Sequence, residues 1–195
     1  FGQAIRESQE GSERIRHIVQ DLRAFAYRDD GEWVAADLNR CLDSTAHIVW
    51  TMMKHNVVLQ KEYAALPHVR CHPKQIEQVF MNLLVNAYQA IEARLARDGG
   101  GNGEIVLRTA TTDGGVVISG SDDGAGIAPE HADRIFEPFF TTKEVGEGTG
   151  LGLSTSFEIV RRHGGTIRAL PRDGGGTTFE VWLPQQGPDG RAPHS

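Results

Sequence analysis

The chain has 195 residues, 39% of them hydrophobic, enough to bury one sizeable core with a small appendage, since domains typically run about 100–150 residues. A formal charge of −6 with no Lys/Arg block excludes the electrostatic footprint of a nucleic-acid binder or of a protein held on an anionic membrane surface. No run approaches the ~20 apolar residues of a bilayer span, no signal-peptide pattern opens the chain, and Cys41 and Cys71 stand outside any CxxC motif, so a soluble protein of the reducing cytoplasm is expected.

Between Ile5 and Arg28, the residues Ile15, Ile18, Val19, Leu22, Phe25 and Ala26 form one apolar stripe at helical spacing, with charged faces elsewhere, so this arm needs a partner surface. The pattern is already under way near Phe1 with no capping residue before it, and a fragment of a longer protein is expected. Asp37 is placed to cap a helix carrying Leu38, Cys41, Leu42, Thr45, Ile48 and Val49. Val57-Val58-Leu59 and the stretch around Val69 read as strands. Pro73 suits a first helical turn, and Ile76, Val79, Phe80, Leu83, Leu84, Ala87 and Ile91 predict a long helix ending before the glycine-rich stretch 98–103.

Residues 104–112 and 116–121 flank Asp113-Gly114-Gly115 as a hairpin. A short helix over 129–135, an irregular segment over 136–149 and a helix from Leu151 to His163, closed by Gly164-Gly165, come next. Residues 166–170 and 177–183 form a last hairpin, and the polar tail from Gln185 reads as disordered. The expected organisation is an arm over 1–30, a main domain over 31–184 and a tail over 185–195.

Three signatures stand in order in the main domain: Asn82-Leu83-Leu84-Val85-Asn86-Ala87, Asp122-Asp123-Gly124-Ala125-Gly126 and Gly148-Thr149-Gly150-Leu151-Gly152. An amide oxygen suits a hard cation, a carboxylate at a strand end accepts from an amino group, and glycines before a helix let N–H groups approach phosphates. On a helical wheel Asn82 and Asn86 fall about 40° apart, beside the apolar stripe. Together with Arg134-Ile-Phe-Glu-Pro-Phe-Phe-Thr-Thr-Lys143, this order resembles the ATP-binding domain of two-component sensor histidine kinases, from roughly Leu38 to Pro184.

The resemblance implies an α+β fold: a two-layer α/β sandwich of the Bergerat type, its mixed sheet covered by helices and preceded by the helical arm. It implies ATP and Mg²⁺ as cofactors, with Asn86 as metal ligand, Asn82 beside the phosphates and Asp122 accepting from the adenine N6 amino group. Gly124, Gly126 and Ile127 turn against the base. Phe136, Phe139 and Phe140 read as core aromatics anchoring a lid over residues 141–147, whose Lys143 serves the terminal phosphate and, with Asn82, the catalysis. Gly148, Thr149, Gly150, Leu151 and Gly152 bring backbone N–H groups to the phosphates, and Thr177 and Thr178 match a further family motif near the nucleotide.

By the same resemblance the partners are a response-regulator receiver domain and a second protomer paired through the arm. His17 is followed by Ile18-Val19-Gln20 rather than by an acid, so the phosphoacceptor is expected on a helix outside this chain. Related ATPases carry a Glu one turn before the metal Asn, where this chain has Asn82; an amide is no general base, which favours transfer to a protein over hydrolysis. Gly120, in place of a branched strand residue, and Gln89, in place of a basic one, depart from the family pattern. A hydrolysing ATPase, a non-catalytic nucleotide sensor and a serine kinase of the same superfamily remain the alternatives.

Overall fold

In the computed structural model, residues 32–52, 57–143 and 148–188 are described. The expected arm over 1–30 and most of the tail lie outside them. The elements, in chain order, are β1 (Val34–Ala36), α1 (Leu38–Met52), β2 (Val57–Tyr63), β3 (Val69–Cys71), α2 (Pro73–Asp98), β4 (Gly103–Thr112), β5 (Gly115–Asp122), a 3-10 turn (Pro129–His131), α3 (Gly152–Arg162), β6 (Thr166–Pro171) and β7 (Thr177–Pro184).

Five strands form one sheet in the order β2-β4-β5-β7-β6, with β2 parallel to β4 and every other pair antiparallel. This is the mixed sheet of the expected α+β sandwich. Period-two alternation gives each strand one apolar side. Ile105, Leu107, Ile118, Val181 and Leu183 join Leu42, Val79, Phe80, Leu84, Ile91 and Val160 of the helices in a single core. The opposite face stays polar and pairs its charges across strands, as in Arg108–Glu62 at 2.7 Å and Arg168 Nε–Glu180 at 2.9 Å. A cleft of about 460 Å³ on that side, lined in part by Glu104, Arg108, Ser121, Arg172 and Thr178, holds arginines already paired with glutamates.

Helix α2 runs 26 residues because Pro73 starts it without wasting a donor and Gly99 ends it in the left-handed region, at φ 78°. Asp37 accepts from the Arg40 N–H at 3.2 Å, as expected of a cap on α1. The sequence did not reveal β1, which pairs antiparallel with β3 as a separate two-stranded sheet. Trp33, just ahead of it, packs its ring on His72 and His163. His163 is buried; its Nε2 accepts from the His72 N–H at 3.1 Å, so its proton sits on Nδ1, 2.8 Å from the Ile159 carbonyl. Burial holds its pKa below the ordinary histidine value.

Order extends past the expected boundary at Pro184. The Gln185 carbonyl accepts from Arg70 and its N–H donates to Gly114, so the chain stays packed onto β3 and the β4–β5 turn. Both cysteines are buried and free, and burial raises their thiols to about 11 for Cys41 and about 12 for Cys71.

Candidate nucleotide site

Asp122 ends β5 on the helix side of the sheet and is 1% exposed. Its Oδ1 accepts from the Gly124 N–H at 2.9 Å and from the Thr177 N–H at 3.4 Å. Burial nevertheless pushes the carboxyl up to about 6, against those two hydrogen bonds, which favour the charge. A carboxylate with a raised pKa gains from any further donor, and an exocyclic amino group supplies one.

The loop beyond it is held by backbone. The Ala125 N–H donates to the Ala90 carbonyl of α2 at 3.0 Å. A β-carbon on Gly124 would come within 2.6 Å of Ala90, and one on Gly176 within 2.0 Å of the Asp122 carbonyl oxygen. Gly176 also sits at φ 99°, a region that side chains rarely adopt. Gly176, at the end of the β6–β7 hairpin turn, thus has a second role: it lets β7 enter beside Asp122 and brings Thr177 to its carboxylate. Gly126, at φ 77°, turns the loop back against Gly176.

Asp123 has a different task. Its Oδ1 accepts from the Glu104 N–H at 2.9 Å and its Oδ2 pairs with Arg94 of α2 at 3.1 Å. It ties β4 to the helix, leaving Asp122 as the carboxylate between the Gly124 and Thr177 N–H groups. Arg94 was not legible as a site residue, because only the folded chain brings it to position 123.

One turn apart on α2, the two asparagines meet different partners. Asn82 Nδ2 donates to the Gly152 carbonyl at 2.9 Å and to Ser156 Oγ at 3.1 Å, fixing the start of α3 against α2. The first N–H groups of any helix lack intrahelical partners, so this clamp sets a donor-rich turn beside the asparagines. Leu151, 2% exposed, buries the turn's apolar edge, and its N–H reaches Thr149 Oγ1 at 3.3 Å. Asn86 Oδ1 lies 3.5 Å from Lys143 Nζ, which also donates to Gln89 Oε1. A cation already sits at this amide oxygen, and an amide oxygen is a ligand type that a hard metal ion accepts.

Phe136 packs against Phe157 beside the core, with ring centroids 5.5 Å apart, whereas Phe139 is 69% exposed and is no core aromatic. The reason is the backbone. Phe139 adopts φ 66°, its N–H donates to Gly150 at 2.9 Å, and a β-carbon on Gly150 would lie 2.4 Å from its carbonyl carbon. This contact brings the phenylalanine segment onto the glycine motif and turns the Phe139 ring outward. Of the expected lid, Thr141 to Lys143 are described and residues 144–147 lie outside the described residues. Asn82, Asn86 and Lys143 therefore meet the start of α3 and Gly148 on one stretch of α2, and Asp122, Gly124, Gly126, Gly176 and Thr177 gather beside Ala90, one turn beyond Asn86 on the same helix.

Residues 71–187 match the family model of histidine kinase-, DNA gyrase B- and HSP90-like ATPases. The chain belongs to this ATPase family. Among curated relatives it is 36% identical to the sensor histidine kinase ZraS of Escherichia coli K12 over 176 residues, 89% of this chain and 36% of ZraS. It thus spans about a third of that relative's length. Among solved structures, the catalytic domain of histidine kinase ThkA is 32% identical, with a TM-score of 0.70 over 83% of this chain and all of that one. ThkA in complex with the response regulator protein TrrA matches at 27% identity and a TM-score of 0.74, over 94% of this chain and 50% of that one. Fold and family therefore agree with the sequence reading. No helix among the described residues is long and apolar enough to cross a membrane.

Proposed function

We propose that this domain binds Mg·ATP in the cleft between α2 and the 148–152 turn and transfers the γ-phosphoryl group to a histidine, as part of a cytoplasmic sensor kinase that passes the group to a response regulator. The buried Asp122 carboxylate, seated between Gly124 and Thr177 N–H groups with its charge poorly solvated, carries the reading: it is built to take one more donor. Asn86 would hold the metal, which when bound neutralises phosphate charge. Asn82 keeps the N–H-rich turn in place, and Lys143 supplies positive charge from the lid side. Catalysis is then positioning and electrostatics.

The family name includes ATPases, yet one observation disfavours steady hydrolysis. Glu77, an acid in the first turns of α2, faces the Cys41 thiol of α1 and, after burial, is the next cause of that thiol's raised pKa. The position one turn before Asn86 is an amide already committed to Gly152 and Ser156. The complex of ThkA with TrrA supports a receiver domain as partner, and the amphipathic stripe of residues 15–26 supports pairing of two protomers through the arm.

Calorimetric titration with Mg·ATP tests the pocket. Saturable binding is expected, and Asp122→Asn should weaken it roughly ten- to a hundred-fold, the worth of one charge-assisted hydrogen bond. Unchanged affinity in the variant would remove Asp122 from the site. A histidine-containing helical hairpin from a relative, supplied as acceptor, should take an acid-labile label from ATP; an acid-stable label would indicate a serine kinase.

A further inference from the structure

Two cations have a claim on one oxygen. Asn86 Oδ1 is the atom expected to face the metal, and Lys143 Nζ stands 3.5 Å from it while donating to Gln89 Oε1. A divalent ion and an ammonium on the same amide oxygen would lie within about 4–5 Å of each other, where like charges repel appreciably at any protein dielectric. Binding the metal at Asn86 therefore means moving Lys143.

The lid stem permits that movement without unfolding. Thr141 Oγ1 accepts from the Lys143 N–H at 3.2 Å, and a β-carbon on Gly148 would come within 2.9 Å of Thr141 Oγ1 and 3.2 Å of Lys143 Cδ. The Lys143 N–H is held by Thr141 and its stem passes beside Gly148, while the carbon beyond Cδ remains able to swing the ammonium. Gln89 is the tether on the helix side. It is neutral, so its hydrogen bond to the ammonium adds no charge of its own.

We propose that Lys143 occupies the metal position on Asn86 in the nucleotide-free protein, held there by Gln89, and that this exchange of cations favours a nucleoside triphosphate over a diphosphate. The inference rests on the proposed Mg·ATP function. With ATP, the displaced ammonium moves to the terminal phosphate, and the lost contact is replaced. With ADP, the metal still expels the ammonium from Asn86, but no γ-phosphate receives it. Lys143 then competes with the metal and helps release the product. Gln89, read from sequence as a missing charge, becomes a positioning residue for the charge that the lid supplies.

The test is calorimetry on the whole chain with ATP and ADP, each with Mg²⁺ and with chelator, for the wild type, Lys143→Ala and Gln89→Ala, with thermal melts confirming that each variant folds. Lys143→Ala should bind Mg·ATP about ten-fold more weakly and Mg·ADP about three-fold more tightly. The gain for ADP should vanish without Mg²⁺, because nothing then competes for Asn86. Gln89→Ala should tighten both Mg·ADP and Mg·ATP, because Gln89 holds the ammonium only in the nucleotide-free protein. Equal weakening of both nucleotides in Lys143→Ala, an unchanged Mg·ADP affinity, or a gain that persists in chelator would overturn the exchange while leaving the pocket intact. A wild type that binds neither nucleotide would instead remove the proposed function itself.

Discussion

Around Asp122, three backbone segments meet with no room for a β-carbon, whereas around Lys143 only Gly150 packs its backbone so closely, on Phe139, and side chains make the links to α2. The first end closes Gly124 on Ala90 and Gly176 on the Asp122 carbonyl. The second joins Lys143 to Asn86 and Gln89, and Asn82 to Gly152 and Ser156. Backbone contacts of this kind persist whether or not a ligand is present, because packed interiors yield little. Side-chain bridges can break and reform. In the proposed complex the Asp122 end is a preformed slot for adenine, and the Lys143 end, which would meet the phosphates, is where binding rearranges the protein.

If that contrast holds, the largest loss comes from crowding the slot. Gly176→Ala adds a methyl group 2.0 Å from a carbonyl oxygen at a φ of 99°, and should cost on the order of 3–4 kcal/mol of stability. Chemical denaturation measures this, and a loss below about 1 kcal/mol would mean that the slot relaxes easily. Asn82→Ala removes the amide shared by Gly152 and Ser156 and should cost about 1–2 kcal/mol. Stability left intact with ATP binding lost would instead make Asn82 a direct phosphate contact.

The pH dependence separates the two ends more finely. In the empty protein Asp122 titrates near 6, and an adenine amino group favours its charged form. Affinity for ATP should be full above that value and decline as pH falls through about 6, with the decline absent in Asp122→Asn once the nucleotide's own titration, common to both proteins, is subtracted. For stability of the empty domain the sign reverses. The raised pKa favours neutral Asp122, so its contribution is present below the ordinary carboxylate range and is lost as pH rises through about 6.

The smallest effect should be a gain. A void of about 20 Å³ lies among Leu42, Phe80, Leu84, Leu107 and Gly120, and a β-carbon on Gly120 would meet only Leu107 Cδ2, at 3.5 Å. Gly120→Ala should therefore stabilise the domain by about 0.5–1 kcal/mol, read as a higher melting temperature with ATP affinity little changed. The strand glycine that departs from the family pattern leaves, in the structure, an unfilled space two residues before Asp122.

Much of this molecule was legible without coordinates. The long α2, its Pro73 start and its stop at the glycine-rich stretch follow from local rules of helix formation, and so do the two hairpins and the order of the three nucleotide motifs. What escaped depends on contacts between segments far apart in the chain. The short β1 has too few residues to show a period, and only its pairing with β3 defines it. Phe139 looked like core by composition, but the backbone of Gly150 turns it out. Arg94 on Asp123, Gly176 under Asp122 and Lys143 on Asn86 are separated by 29, 54 and 57 positions. Residue types and spacing by themselves determined which groups this protein has for a nucleotide and in what order. Tertiary structure alone decided which carboxylate is buried without a salt bridge, which glycines have no room for a side chain, and which cation meets the asparagine, because burial and hydrogen-bond partners are properties of neighbours in space.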